Sequence, residues 1–409
     1  MTAKIWDVIV VGAGLSGLSA AHLLRTRNAK LRVLVLEAKD RVGGRTVSTE
    51  IPAANGVDRW DFGGQWVGST QTHIMELVKE LGLDTFPQYN IGKKVHHMGG
   101  PGARVRTYRN SIPALSPLVL MDLTQFLWKI DRLCATVRVE DPSKTPNAVE
   151  LDSVTLHSYT EKHVWTAELK EELALCSRSV FGMEPSQMSF LFFLMYAAAA
   201  GGLLPLLENT AGSAQEFKIK GGTQQLSECL AERVGLRNVR LRAAVTAIWQ
   251  AFWKEKGFSG EIVAGSSTDC PFCVTFDATS PGGNAALVGF IAGRQASQWG
   301  SKEAGQRRNA VVSSLVKYLG PEAASFIHFE ERDWAAEAYS GGCPVNVMAP
   351  GLLTYYHPSL RKPCGRIYWA GTETATQWCG YMSGAVQAGE RAALEVLAEL
   401  RPTGLEPEE

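Results

Sequence analysis

The 409-residue chain has no surplus of charge: Lys and Arg together number 41, and so do Asp and Glu. It therefore lacks the field that would draw nucleic acid or an anionic membrane surface, and the balance suits a small neutral or cationic substrate. Low-complexity linkers and internal repeats are also missing. Because 409 residues exceed what one core of roughly 250–300 residues can hold, two domains are expected, interleaved rather than joined by a marked linker. No basic leader precedes the apolar run VIVVGAGL, and the final LAELRPTGLEPEE is acidic and helix-breaking, so neither a signal peptide nor a tail anchor is expected. The eight cysteines are scattered, which implies a reducing, cytoplasmic setting without a disulfide framework. The eight histidines form no spaced metal set, and the adjacent His96 and His97 would point apart on a strand. A single long apolar run, FLFFLMYAAAAGGLLPLL at 190–207, reaches the ~18-residue threshold of a membrane span. Gly201, Gly202 and Pro205 break it after Ala200, leaving a core helix of about 12 residues and no span.

What is present begins with a βαβ pattern. VIVVG at 8–12 is a β-branched run of the kind buried on both faces of a parallel sheet, LSAAHLLRT reads as a helix, and LRVLVLEA at 31–38 is a second strand. Between strand and helix lies Gly12-Ala13-Gly14-Leu15-Ser16-Gly17, and Glu37 and Ala38 end the next strand. Gly12 suits a tight turn, Gly14 lets backbone N–H groups reach a pyrophosphate, Gly17 lets helix and sheet pack closely, and Glu37 can accept ribose hydroxyls. Further on, Arg41, Gly43, Gly44 and Arg45 supply amides and guanidiniums for a diphosphate that extends past the helix, which suits FAD over NAD. DFGGQWVG adds another glycine loop with Gly63, Gly64, Gln65 and Trp66. Helices are expected at 73–83, around 121–137, within 161–200 and after the FKIKGG turn. A strand pair is expected at 239–249, followed by short strands, a helix from 304 to 320, the strand RIYWAG at 366–371 and a closing amphipathic helix. Gly371, Thr372 and Glu373 lead through Gly380, Tyr381 and Met382 into that helix, whose N-terminus carries about half a positive charge and could face the N1–C2=O edge of a flavin. SGGCPV at 340–345 sets Cys343 after two glycines and before a proline, as if presented to something flat; a merely buried thiol is the bland alternative.

VIVVGAGLSGLSAA, EAKDRVGGRT, DFGGQWVG, FKIKGGTQQLSE, AYSGGCPV and RIYWAGTETATQWCGYMSGAVQAGERAA together resemble the flavin-containing monoamine oxidase family, from about residue 5 to 398. The resemblance implies an α/β FAD-binding Rossmann-type domain with an inserted mixed α+β substrate domain. It divides the chain into FAD-binding segments 1–83, 214–250 and 338–400, substrate segments 84–213 and 251–337, and a tail at 401–409. It also implies oxidation of an amine by hydride transfer to the flavin, reoxidation by O2 to H2O2, a thioether from Cys343 to the flavin, FAD contact by Val245, and an aromatic cage member at Tyr381. A homodimer is compatible with it.

Two departures stand out. Position 344, where a second cage tyrosine would sit, is Pro344. After VRLRAAVTAIWQ the chain runs directly into AFWKEKGFSGEIV, without the strands that close the FAD domain and present a lysine that holds a water at the flavin; Lys254 and Lys256 read as a solvated hairpin. The favoured activity is oxidative deamination of an apolar or aromatic primary amine. The alternatives are a flavin-binding but impaired member, a polyamine oxidase using Glu208 or Glu216, and an L-amino-acid oxidase, which would need a pocket arginine. Cys270-Pro-Phe-Cys273 enters a strand rather than opening a helix and reads as structural. Ala198 to Ala200 line either pocket or core, and Trp334, Tyr196 and Trp378 are either core aromatics or pocket walls.

Overall fold

A computed structural model describes residues 5–100, 102–109, 113, 115–235, 252–265 and 269–400. The strand pair expected at 239–249, and Val245 with it, lies outside these residues. Four small sheets and fourteen α-helices organise the described chain. β1 (Val8–Val11) pairs in parallel with β2 (Val33–Leu36), and α1 (Leu15–Arg27) connects them. β3 (Ser48–Ala53) and β4 (Gly56–Asp61) form a hairpin, and β5 (Trp66–Val67), β9 (Phe217–Ile219) and β6 (Thr85–Pro87) form a three-stranded sheet in that order.

Packed against β1 and β2 are α2 (Thr72–Glu80), α9 (Gln224–Val234) and α14 (Met382–Glu399), so the first and last parts of the chain share one core. α14 crosses α1 at Gly389, where a Cβ would run into the Ser16 carbonyl, so only glycine allows the approach. The expectation that β1 is buried on both faces does not hold among the described residues. Ile9 is 54% exposed, Val11 85% and Leu36 49%, because no second layer covers that face. RIYWAG likewise forms no strand. Its only ladder contact is an isolated Cys364–Ile367 bridge, since no described strand lies beside it to take its backbone N–H and C=O groups.

The second body has two parts. A five-stranded sheet runs β12 (Leu287–Phe290), β11 (Val274–Asp277), β10 (Phe258–Ala264), β7 (Lys93–His97), β8 (Arg106–Tyr108), with β10 and β7 parallel and the other pairs antiparallel. α10 (Phe252–Glu255), α11 (Gly293–Gly300) and α12 (Ala304–Leu319) belong to this part. Beside it stands a helical layer of α3 (Pro117–Cys134), α4 (Ala148–Ser153), α5 (Leu156–His163), α6 (Ala167–Phe181), α7 (Phe190–Ala199), α8 (Leu204–Leu207) and α13 (Leu352–Arg361). α7 is the hub of its core: Ser189 caps it by accepting the Phe192 N–H, and all but one of its residues are buried. The helix ends before Gly201-Gly202 as the sequence predicts, and no described helix is long and apolar enough to cross a membrane.

His96 and His97 do diverge on β7, toward Glu172 and toward Tyr318. Lys254 and Lys256 are not in a solvated hairpin. They lie on and just after the single turn of α10, because carboxylates sit within reach: Lys254 pairs with Asp277 at 3.2 Å and lies over the Tyr89 ring, and Lys256 pairs with Glu322. All eight cysteine thiols are free.

Candidate active site

Three separated pieces of chain converge on one cavity of about 2680 Å³. The first is the β1–α1 turn. Gly12 takes φ +99°, α1 begins at Gly14 without a side-chain cap, and a Cβ on Gly17 would strike the Gly12 carbonyl. Glu37 clamps the ends of both strands by accepting the Ala13 N–H at 2.7 Å and the Lys39 N–H at 2.8 Å.

The second piece is the loop after β2. Gly43 N–H donates to Ala13 O at 2.9 Å, so Gly43 and Gly44 lie flat against Gly14. Both arginines of this loop are engaged with protein groups. Arg41 donates to Gly44 O at 2.8 Å and to Glu337 at 3.2 Å, and Arg45 makes a two-pronged pair with Glu373 at 2.6 and 3.0 Å while also donating to Pro344 O at 2.8 Å. Burial works against ionising Glu373, and the Arg45 guanidinium outweighs it, holding the carboxyl below its ordinary range.

The third piece joins Gly63 to Trp66 with the last block. Gly64 lies against Met382, and Gln65 leaves its buried Nε2 without a partner. Gly371 N–H donates to Ser16 Oγ at 2.8 Å, and Thr372 Oγ1 donates to Tyr381 O at 2.8 Å. α14 then begins after Tyr381 with no side-chain cap on its first amides.

Of the residues the sequence singles out for the cofactor, Gly12, Gly14, Leu15, Ser16, Gly17, Glu37, Ala38, Gly43, Gly44 and Arg45 line the cavity, as do Gly63 through Trp66, Cys343, Gly371, Thr372, Gly380, Tyr381 and Met382. Arg41 and Glu373 stand behind its wall. Cys343 is exposed to the cavity on one side. Enclosure by protein pushes its thiol up to about 11, and the Arg45 charge opposes that rise.

The open questions about individual residues resolve as follows. Ala199 and Ala200 are buried in the helical core and none of Ala198 to Ala200 lines the cavity. Trp334 lines it and donates Nε1–H to Phe62 O at 2.9 Å. Trp378 is a buried support whose ring meets Tyr381 edge-on at 5.2 Å. Tyr196 is both, 1% exposed yet at the cavity wall. Glu208 lines the cavity, whereas Glu216 is taken up by Ser69 and the Gly212 N–H. Cys270 and Cys273 are buried.

Several cavity residues had no reading from sequence. Glu261 pairs with Lys94 at 2.8 Å, Glu172 with His96, and Glu184 with Arg178 at 3.3 Å. The one signal was the alternation Lys94, His96 along β7, which puts two polar groups on one side of a strand. The lining also has an apolar part, with Leu115, Leu123, Leu127, Val180, Leu203 and Leu206.

This cradle fits an FAD: glycines with room above their Cα atoms, uncapped amides at the starts of α1 and α14, the Glu37 carboxylate and the unpartnered Gln65 amide.

Comparison with known proteins agrees. The sequence profile described as "Flavin containing amine oxidoreductase" matches residues 15–251 and 249–397, two pieces that meet at 249–251. The chain is 34% identical to the flavin-containing amine oxidase of Oncorhynchus mykiss over 467 aligned positions, covering 98% of this chain and 87% of the relative. It is also 34% identical to amine oxidase [flavin-containing] B of Homo sapiens, with coverages of 96% and 86%. Among solved structures, cyclohexylamine oxidase from Brevibacterium oxydans superposes with a TM-score of 0.87 at 29% identity, covering 97% of this chain and 100% of that one. Putrescine oxidase superposes with the same TM-score at 26% identity. A nearly full-length match in sequence, joined to a cavity whose glycine loops and helix ends fit the same cofactor, makes this chain a member of the flavin-containing amine oxidase family, an FAD-dependent oxidoreductase acting on amines.

Proposed function

We propose that the chain oxidises an apolar or aromatic primary amine to an imine, which water converts to an aldehyde and ammonia, while O2 is reduced to H2O2. Bound FAD supplies the two-electron acceptor. The observation that carries the reading is that a leucine-rich wall, Tyr381 and the Cys343 turn all line one cavity. Such a wall strips water from an ammonium group and so favours the free base, the form that can be oxidised. Residues 1–83, 214–250 and 338–400 form the cofactor unit in this reading, and 84–213 with 251–337 the substrate unit. The shared core of α1, α2, α9 and α14 and the Gly389 crossing support that division. Cys343, with Gly341 and Gly342 leaving open space beside it, is the candidate for a thioether to the flavin.

A second reading, a diamine substrate, draws support from Glu208. It lines the cavity, accepts from Thr210 Oγ1 at 2.7 Å, and has no cationic partner among the described residues, so it could hold a distal ammonium. An amino-acid substrate would need a cavity arginine free to pair with its carboxylate, and of the six arginines that line the cavity Arg45, Arg178, Arg307 and Arg332 already pair with carboxylates.

The test is the visible spectrum of the purified protein and of its acid-precipitated pellet, followed by peroxide release with benzylamine, cyclohexylamine and putrescine. Flavin in the pellet and peroxide from the first two amines are expected. Flavin in the supernatant refutes the thioether, turnover of putrescine alone selects the second reading, and flavinylated protein that makes no peroxide with any amine refutes the activity.

A further inference from the structure

No residue from 325 to 350 lies in a helix or strand, so the Cys343 turn owes its place to individual ties rather than to a ladder. The turn also holds a shape that side chains resist. Tyr339, 85% exposed, takes φ +63°, in the left-handed region, and Gly341 and Gly342 follow at +65° and +143°. A tyrosine there costs free energy that its surroundings must offset. The tie is made by Glu337. Its Oε1 accepts from Lys39 Nζ at 2.7 Å and from Arg41 Nη2 at 3.2 Å, both on the loop after β2, and its Oε2 accepts from Arg332 Nη2 at 2.7 Å. Its backbone carbonyl accepts the Ser340 N–H at 3.2 Å and the Gly341 N–H at 2.9 Å, and Lys39 reaches on to Ser340 Oγ at 3.4 Å. One residue thus grips the β2 loop with its side chain and the turn with its backbone. Among the described residues Lys39, Arg41 and Arg332 pair with no other carboxylate, and all four side chains are less than a quarter exposed, so solvent screens the cluster less than it would an exposed surface pair.

We propose that Glu337 is a positioning residue, which fastens the Cys343 turn to the loop after β2 and so presents the Cys343 thiol to bound FAD. The inference rests on the reading of Cys343 as the point of attachment. In that attachment a bond forms between Cys343 Sγ and a ring-methyl carbon of FAD. The thiol and the methyl group each give up one hydrogen, and the two hydrogens with two electrons pass to the flavin and then to O2, which leaves as H2O2. Glu337 is not part of the cavity lining, so it acts on where the thiol sits rather than on the cofactor itself.

The test uses the full chain purified without flavin and has two readouts: amide hydrogen exchange of the peptide that spans 338–346, and the rate at which flavin becomes resistant to acid extraction after saturating FAD is added. Glu337→Gln keeps the size of the side chain and removes its charge. Exchange in 338–346 should be about tenfold faster in this variant than in wild type, with a smaller change in α1 and α14, and attachment at saturating FAD should be about tenfold slower. Unchanged exchange in 338–346, equal acceleration there and in the two helices, or attachment at the wild-type rate overturns the proposal. If Glu337→Gln does not fold, Lys39→Met, which cuts the shorter of the two ties from the other loop, decides in its place by the same readouts. If wild type attaches no flavin, the thioether reading fails, and exchange alone decides the role of Glu337.

Discussion

At the scale of single residues, the site depends on positions where the addition of one carbon or one charge has a definable consequence. A methyl group at Gly17 would meet the Gly12 carbonyl, which belongs to the turn that faces the cofactor. Gly17→Ala should therefore destabilise the protein by about 1–3 kcal/mol, as overpacking does, and lower the flavin retained on purification. Thermal unfolding and the ratio of flavin to protein absorbance measure the two effects. Cys343 offers a second test. With its thiol held up to about 11 by enclosure, the thiolate is scarce at neutral pH. Alkylation of Cys343 by iodoacetamide in flavin-free protein, followed by peptide mass spectrometry, should accelerate about tenfold per pH unit between about pH 7 and pH 10. Arg45 lowers that proton affinity, so Arg45→Gln should slow alkylation at a given pH. An unchanged rate would show that Arg45 acts only through Glu373 and the Pro344 carbonyl.

At the scale of elements, β9 is the strand between β5 and β6, and it carries a lysine into the interior. Lys218 is 6% exposed, donates to Asp277 O at 2.7 Å, and is pulled down to about 8 by burial, although Asp277 and Asp61 act to raise it. Its proton affinity is lower folded than unfolded, so the unfolded chain binds more protons between about pH 8 and 10.5. Its contribution to stability is complete above that window and is lost as pH falls through 8. Wild type should gain about 3 kcal/mol across the window relative to Lys218→Met, read as the difference in urea midpoints. Sequence alone gave no hint of this lysine, because FKIKGG shows a strand and a turn but not which lysine faces inward. What was legible had local causes. The glycines of the β1–α1 turn, the glycine break of α7, and the periodicity of α14 each specify their own geometry, and all three form as read. What was not legible depended on partners distant in sequence. RIYWAG has strand composition but no described neighbour to pair with, and Arg45 meets Glu373 across 328 positions. The acidic residues Glu172, Glu184 and Glu261 of the cavity wall come from α6, the turn after it and β10, and share no motif.

At the scale of the whole molecule, the two matched pieces meet at 249–251, and among the described residues one face of the β1–β2 sheet is bare. The alignment of 467 positions is longer than the chain itself, so relatives carry residues opposite gaps in it. Ile9, Val11 and Leu36 open into the same cavity as the glycine loops, so apolar strand surface that a larger sheet would cover is in contact with solvent beside the cofactor cradle. This arrangement makes the flavin a structural component as well as a reactant. A ligand that binds only the folded chain adds stability in proportion to the logarithm of its concentration over its Kd, about 2.7 kcal/mol at a hundredfold excess. Flavin-free protein should therefore bind an apolar dye such as anilinonaphthalene sulfonate. Added FAD should displace the dye and raise the melting temperature by several degrees, and Glu37→Ala, which lacks the carboxylate at the ends of β1 and β2, should show a smaller rise. If FAD moves neither the dye nor the melting temperature, the shortened sheet no longer holds its cofactor, and the aligned glycines and carboxylate are the remains of a site that has lost its closing strands.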